Sequence, residues 1–171
     1  MNEDQPNQSN KKDTTEKKQF CTFRLADRLF GVDILDVKEI NPEIVFTPIF
    51  HAPKVVKGYV NIRGQIHLVI DMRLVLGYEP KAEDAMSRIV LFKQEVGPAF
   101  GVLVDCVGDV VTIEKNQIED SRHMGQKSKN HLQDVKKEIT IGVCKLKNEL
   151  LVILNAKKIL ATVNPKTINN E

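Results

Sequence analysis

The chain has 171 residues, 42% of them hydrophobic and 28% charged, a composition suited to an ordinary globular protein and not to a wholly disordered or fibrous one. Its 25 basic and 23 acidic side chains are spread along the sequence and leave a formal net charge of +2, so no general attraction to nucleic acid or lipid follows and any partner must be recognised locally. Cys21, Cys106 and Cys144 lie far apart, each inside an apolar run, which suits a reducing compartment where a thiol acts as a small hydrophobe.

Residues 1–17 hold no aliphatic or aromatic side chain after Met1 and balance their charges, so they cannot offset the entropy of ordering, and a disordered tail is expected there. Asn7-Gln8-Ser9 matches a glycosylation acceptor by chance, since no signal peptide is visible. From Gln19, short runs rich in Val, Ile and Phe alternate with turn residues at the spacing of a small all-β fold. QFCTFRL and RLFGV flank Ala26-Asp27 and predict a hairpin. EIVFTPI reads as an edge strand or strand end, because Pro48 cannot donate to a ladder. APKVVKG reads as one helical turn, with Pro53 near its start and Gly58 beyond its end. YVNI and QIHLVI then pair around Arg63-Gly64, and Asp71 caps a short helix, MRLVL, that stops at Gly77.

A polar linker, 77–87, leads to three more strands, RIVLFK, AFGVLV and DVVTI. Residues 119–138 read as a polar loop in which Lys127, Lys129, Lys136 and Lys137 are balanced by Glu119, Asp120, Asp134 and Glu138. After it come ITIGVCKL, a Lys147-Asn148-Glu149 turn, LLVIL, a helix opened by Asn155, and a tail over residues 164–171.

Two segments occur twice. FGVDILDVKEI (Phe30 to Ile40) lies over FGVLVDCVGDV (Phe100 to Val110) at an offset of 70, and HLVIDMRLVL (His67 to Leu76) over LVILNAKKIL (Leu151 to Leu160) at an offset of 84. The second alignment superposes the helix caps Asp71 and Asn155 and sets Arg73 over Lys157; the 119–138 loop accounts for the difference in offset. Such a duplication predicts a mainly β fold of two small five-stranded barrel-like subdomains, about 18–85 and 86–163, with strands free to cross over. Each is too small to bury much surface alone, so a shared core with a groove at the seam is expected. Val37 and Glu39 from one copy, and Val107 and Asp109 from the other, would face that groove or fill the core.

Reactive chemistry is not evident. No G-x-G-x-x-G, phosphate-binding G-x-x-x-x-G-K-[ST], H-E-x-x-H or G-x-S-x-G motif occurs, and His51, His67, His123 and His131 lack metal-ligand spacing to any cysteine. No catalytic residue, cofactor or metal is expected. With no Trp, and with Tyr59 and Tyr78 outside any alternation of basic and aromatic residues, nucleic-acid binding is a rival reading only, and a binding module is the main one. No run of eighteen apolar residues suggests membrane insertion, and a cytoplasmic location is expected.

TPIFHAPKVVKGYVNIRGQIHLVIDMRLVLG (Thr47 to Gly77) resembles the signature of the CheW family of chemotaxis coupling proteins: a Thr-Pro start, a Pro-x-x-x-x-Gly step, Asn-hydrophobic-Arg-Gly and a Val-Ile-Asp-Leu-Arg passage. The duplicated segments resemble the family's other stretches in the same order, over about residues 18–163. The resemblance implies two five-stranded barrel subdomains of SH3-like type and a non-enzymatic scaffold. Its partners would be the cytoplasmic signalling tip of chemoreceptors, the regulatory domain of the histidine kinase CheA and, in array rings, other copies of CheW. The protein would thus be recruited to the inner membrane face through receptors. Receptor contacts would fall on Val37, Glu39, Arg63, Val104, Val107 and Gly108. Kinase contacts would fall on Ile44, Phe46 and Phe50, the last standing where the family commonly has proline. Gly58 and Gly64 would serve structural turns, the first through a positive φ after a helical turn. Arg63 would either fork onto the partner or bind Glu39 and order the groove. A CheW-like adaptor of a chemosensory pathway unrelated to swimming would look the same in sequence.

Overall fold

Ala26 and Asp27 both adopt left-handed backbone, φ 46° and 66°, and so close a two-residue hairpin between β1 (Lys17–Leu25) and β2 (Arg28–Asp33). The computed structural model describes residues 15–121 and 131–163. The carboxylate of Asp33 accepts the Leu35 N–H at 3.0 Å and caps a 3-10 turn, Ile34–Asp36, that feeds β3 (Val37–Asn41). Next come β4 (Val56–Ile62) and β5 (Gln65–Asp71), joined by Arg63-Gly64 at φ 51° and 81°. Helix α1 (Met72–Val75) starts where the Asp71 carboxylate accepts the Arg73 N–H at 2.9 Å.

The second half repeats the plan with β6 (Arg88–Phe92), β7 (Phe100–Val104), β8 (Cys106–Glu114), a 3-10 turn at Lys115–Gln117 and a short β9 (Ile118–Asp120). It ends with α2 (His131–Ile139), β10 (Thr140–Lys145), β11 (Leu150–Leu154) and α3 (Ala156–Thr162). Asn155 caps α3 as Asp71 caps α1, accepting the Lys157 N–H at 3.1 Å, so the superposed caps do the same work.

Two sheets result, of six strands (β8-β1-β2-β11-β10-β9) and five (β3-β6-β7-β5-β4). Each draws on both halves of the sequence. The first hairpin, β1–β2, joins the six-stranded sheet with the later strands of the second copy, while β6–β7 joins the five-stranded sheet with β3, β4 and β5. The chain passes between sheets at the Ile34–Asp36 turn and at Asp105, the residue between β7 and β8. The parallel pairs β2–β11 and β5–β7 are equivalent under this exchange.

Because each sheet is covered on both faces, several strands are apolar runs without alternation, and all five residues of β7 are buried. A shared core between the sheets takes Phe23, Phe30 and Val32 from one and Ile70, Phe92 and Phe100 from the other, with Ile139 and Ile159 from the helices. The outer faces carry smaller clusters, around Phe20 and Ile153 on one sheet and around Val60 and Leu91 on the other. His67 is buried, and its Nδ1 lies 3.1 Å from the Gln65 carbonyl oxygen, the polar neighbour expected of a strand histidine.

Five local expectations change. EIVFTPI is not a strand: between Pro42 and Pro48 only Thr47 pairs, with Tyr59, through two 2.8 Å backbone bonds. APKVVKG makes one hydrogen-bonded turn, Val56 N–H to the Pro53 carbonyl at 2.9 Å, and then runs straight into β4. The 119–138 loop holds the end of β9 and most of α2, whose Leu132, Val135 and Ile139 recur at helical spacing and pack inward. β9 also raises one sheet from five strands to six, and β1 starts at Lys17, not Gln19. The Asn7-Gln8-Ser9 match, His123, Lys127, Lys129 and the tail at 164–171 lie outside the described residues. Among the described residues no helix is long and apolar enough to cross a membrane.

Candidate functional site

β3 and β8 are edge strands of different sheets, equivalent under the 70-residue repeat, and each is interrupted by a bulge directly after its first valine. In β3 the register jumps between Val37, opposite Phe92, and Glu39, opposite Leu91. In β8 it jumps between Val107, opposite Phe23, and Val110, opposite Cys21. A bulge twists the strand and frees backbone groups at the sheet edge. Val37 and Val107 are both half-buried against the shared core, so the two edges leave that core at matching places.

Gly108 is exposed inside the second bulge. A Cβ there would stand 2.7 Å from Thr22 Oγ1, the buried hydroxyl that donates to the Asp109 carbonyl at 2.6 Å. Val104, at the end of β7, lies in the shared core at 1% exposure and offers no surface.

Arg63 sits at the β4–β5 tip, and its Nη1 donates to Glu39 Oε2 at 2.7 Å while 79% of its side chain stays exposed. Lys38 Nζ donates to Gln65 Oε1 at 2.9 Å alongside it. These two contacts tie the hairpin tip to β3, the opposite edge of the same five-stranded sheet. Both roles read for Arg63 are therefore geometrically open: it binds Glu39, and most of its side chain still faces solvent.

Gly58 lies within β4 at a bulge, with φ 143°, and a Cβ would run into the Thr47 carbonyl. Positive φ holds there, but its cause is a close backbone approach in a strand and not a helix terminus. Gly64, with φ 81° and open space around it, serves the tight turn alone.

Ile44, Phe46 and Phe50 separate. Ile44 and Phe46 turn inward onto the outer cluster of the five-stranded sheet, with Lys57 Nζ 5.9 Å from the Phe46 ring centroid. Phe50 is 91% exposed and Val45, which sequence reasoning passed over, 82%. A second apolar feature is a cavity of about 230 Å³ in the six-stranded sheet, walled by Phe20, Ile118, Ile141 and Ile153 and edged by Lys18 and Asp33, whose charges are 3.6 Å apart.

Burial pushes the Cys21 and Cys144 thiols up, away from the reactive thiolate, and burial likewise raises the Asp71 carboxyl, against hydrogen bonds from the Leu74 and Arg73 backbones. Among the described residues no group of three or more His, Cys, Asp or Glu is placed to hold a metal ion, and no buried side-chain polar atom lacks a hydrogen bond. The arrangement is one of bulged edges, a guanidinium on a rigid hairpin and exposed apolar side chains, the makings of a protein-docking surface.

The CheW-like domain model matches residues 19–164. The chain is 32% identical to the chemotaxis protein CheW of Rhizobium meliloti over 60% of this chain and 65% of that protein. It is 27% identical to CheW of Klebsiella aerogenes over 89% and 87%. Among solved structures it is similar to the scaffolding protein TtCheW from Thermoanaerobacter tengcongensis, with a TM-score of 0.68 and 28% identity over 81% of this chain and 89% of that one. With the family model matching residues 19–164, most of its length, and a fold similar to that of TtCheW, the chain belongs to the CheW family.

Proposed function

We propose that the protein is a non-catalytic scaffold of chemotaxis signalling that couples the cytoplasmic tips of chemoreceptors to the histidine kinase CheA. The observation that carries this reading is the pair of equivalent bulged edges, β3 and β8, with the Arg63–Glu39 pair beside the first of them. A receptor tip is a helical hairpin, and a helix laid across such edges can meet the exposed backbone, the flanks of Val37 and Val107 and the Arg63 fork without any covalent step. Membership of a family whose solved member is described as a scaffolding protein supports the same reading. The kinase's regulatory domain would meet the other end of the five-stranded sheet, at Val45 and Phe50, where two large apolar side chains stand in solvent. In this reading Ile44 and Phe46 hold the loop from below. Further CheW copies would use the same surfaces in array rings, and receptors would bring the protein to the inner face of the membrane.

Co-sedimentation with receptor-bearing membranes, with and without kinase, tests this for the wild type and for Arg63→Ala and Val37→Ala. Wild-type protein should pellet with receptors, and the variants should pellet less. If neither receptor nor kinase brings the wild type down, coupling is refuted; salt-sensitive retention of an oligonucleotide would favour the nucleic-acid reading instead.

A further inference from the structure

Asp105 is the single residue between β7 and β8, where the chain leaves one sheet for the other. Its side chain is 16% exposed and joins two separate elements. Oδ2 accepts the guanidinium of Arg73 on α1, which is 14% exposed, and also accepts the Ala26 N–H at 3.0 Å, in the left-handed turn of the β1–β2 hairpin. The Asp105 N–H donates to the Arg24 carbonyl at 3.2 Å. Arg73 is itself held, its Nε donating to the Glu79 carbonyl at 2.8 Å and its own carbonyl accepting the Tyr78 N–H at 2.8 Å. Tyr78 packs edge-on against Phe30 of β2, with ring centroids 6.4 Å apart. One carboxylate on the crossing residue therefore binds both the helix of the five-stranded sheet and the hairpin of the six-stranded sheet.

The equivalent crossing is built differently. Under the repeat Asp105 falls on Leu35, which is 72% exposed, and Arg73 falls on Lys157. Lys157 attracts the neighbouring Asp36, but no ion pair between them closes among the described residues. The molecule thus has one crossing pinned by a largely buried charge pair and one held by backbone hydrogen bonds, such as the Lys93 N–H to the Asp36 carbonyl at 3.0 Å, without such a pair. The sheets also share a packed core, and within the limits it sets the pinned crossing is the point about which a change in their relative angle would turn.

We propose that Asp105, through Arg73 and the Ala26 turn, is a positioning residue that sets the angle between the two sheets and hence the spacing of β3 and β8. Its consequence for binding rests on the receptor reading above; the clamp itself does not. Val107 and Gly108 follow Asp105 by two and three residues, so a change at the carboxylate reaches the β8 bulge through a very short stretch of backbone. Asp105→Asn keeps the shape but removes the charge that holds Arg73, and Arg73→Lys keeps the charge but removes the fork and the Nε bond to Glu79.

The test is measurement of residual dipolar couplings on the full chain, read separately for the amides of β1–β2 and β6–β7, together with amide exchange and binding of a helical-hairpin fragment of a receptor tip. In the wild type both groups should fit one alignment tensor. In Asp105→Asn the two should separate while exchange protection at each sheet's centre persists, and fragment affinity should fall by about 2- to 30-fold. Glu149→Gln, which removes the exposed partner of Arg24 at the same end of the sheet, should change neither readout. Should Asp105→Asn fail to fold, Arg73→Lys takes its place with the same expected result. One shared tensor in the folded variant overturns the clamp, whether or not affinity falls, because loss of affinity alone would make Asp105 a contact residue. Protection lost in both sheets together also overturns it, in favour of a general stabilising role. If the wild type fails to bind the fragment, the receptor reading falls while the tensors still decide the clamp.

Discussion

Arg63 Nη1 stands 2.7 Å from Glu39 Oε2, joining the tip of the β4–β5 hairpin to the far edge of its own sheet. The arginine side is 79% exposed and open to salt, so the pair contributes little to stability. Arg63→Ala should lower the unfolding free energy by only about 0.2–1 kcal/mol, read from urea denaturation. The same variant should lose receptor co-sedimentation by about tenfold or more. A large loss of stability with binding intact would make Arg63 a purely internal strut.

Gly58 and Gly64 both carry positive φ but differ in surroundings, which gives a graded comparison. Gly64→Ala meets open space and should cost about 1 kcal/mol, the left-handed penalty alone. Gly58→Ala adds a collision with the Thr47 carbonyl and should cost clearly more, at least about 2 kcal/mol. Equal shifts in the urea midpoint would show that β4 yields easily at the Thr47–Tyr59 bridge.

The loop phenylalanines should split function from stability. Phe50→Ala, at 91% exposure, should leave stability within about 0.5 kcal/mol but weaken binding of the kinase regulatory domain in calorimetry. Phe46→Ala, which uncovers part of an outer core cluster, should lower stability by on the order of 1–2 kcal/mol. Unchanged kinase affinity in Phe50→Ala would remove that loop from the interface.

Asp84 gives a pH-dependent check on the 81–87 linker. Lys81 Nζ and the Met86 N–H, each at 2.8 Å, hold its carboxyl down at about 2. This is below the ordinary value of about 3.9 for an unfolded chain, so its contribution is complete above about pH 4 and fades as pH falls toward 2. Carboxyl carbon shifts should show that low midpoint, and Lys81→Met should move it upward. A midpoint already at the ordinary value in the wild type would mean that the linker turn is not held in solution.

Much of the local structure is legible in residue order. The three hairpin turns and both helix caps rest on contacts between near neighbours in sequence, and Asp71 and Asn155 cap as their spacing indicates. Helix α2 had a readable signal as well: Leu132, Val135 and Ile139 form an apolar stripe, hidden by the charged residues between them. EIVFTPI misleads because β propensity reports fit to a half-buried surface, and with Pro42 before it and Pro48 within it the segment pairs only at the single Thr47–Tyr59 bridge. Arg63 and Glu39 can each be singled out from the sequence, but their bond spans 24 positions and depends on where the sheet's two edges come to lie.

Residue order by itself determined most of the strands, though not β9, and also the hairpin turns, the helix caps and the double use of one plan, since φ preferences, caps and apolar runs act over a few residues. Only the tertiary structure decided that the copies exchange hairpins, that Asp105 and Arg73 meet at the crossing, and that Val104 is buried while Phe50 stands in solvent. Strand partnership and burial are set by contacts distant in sequence, and two copies of one apolar pattern can satisfy either arrangement until the whole core is packed.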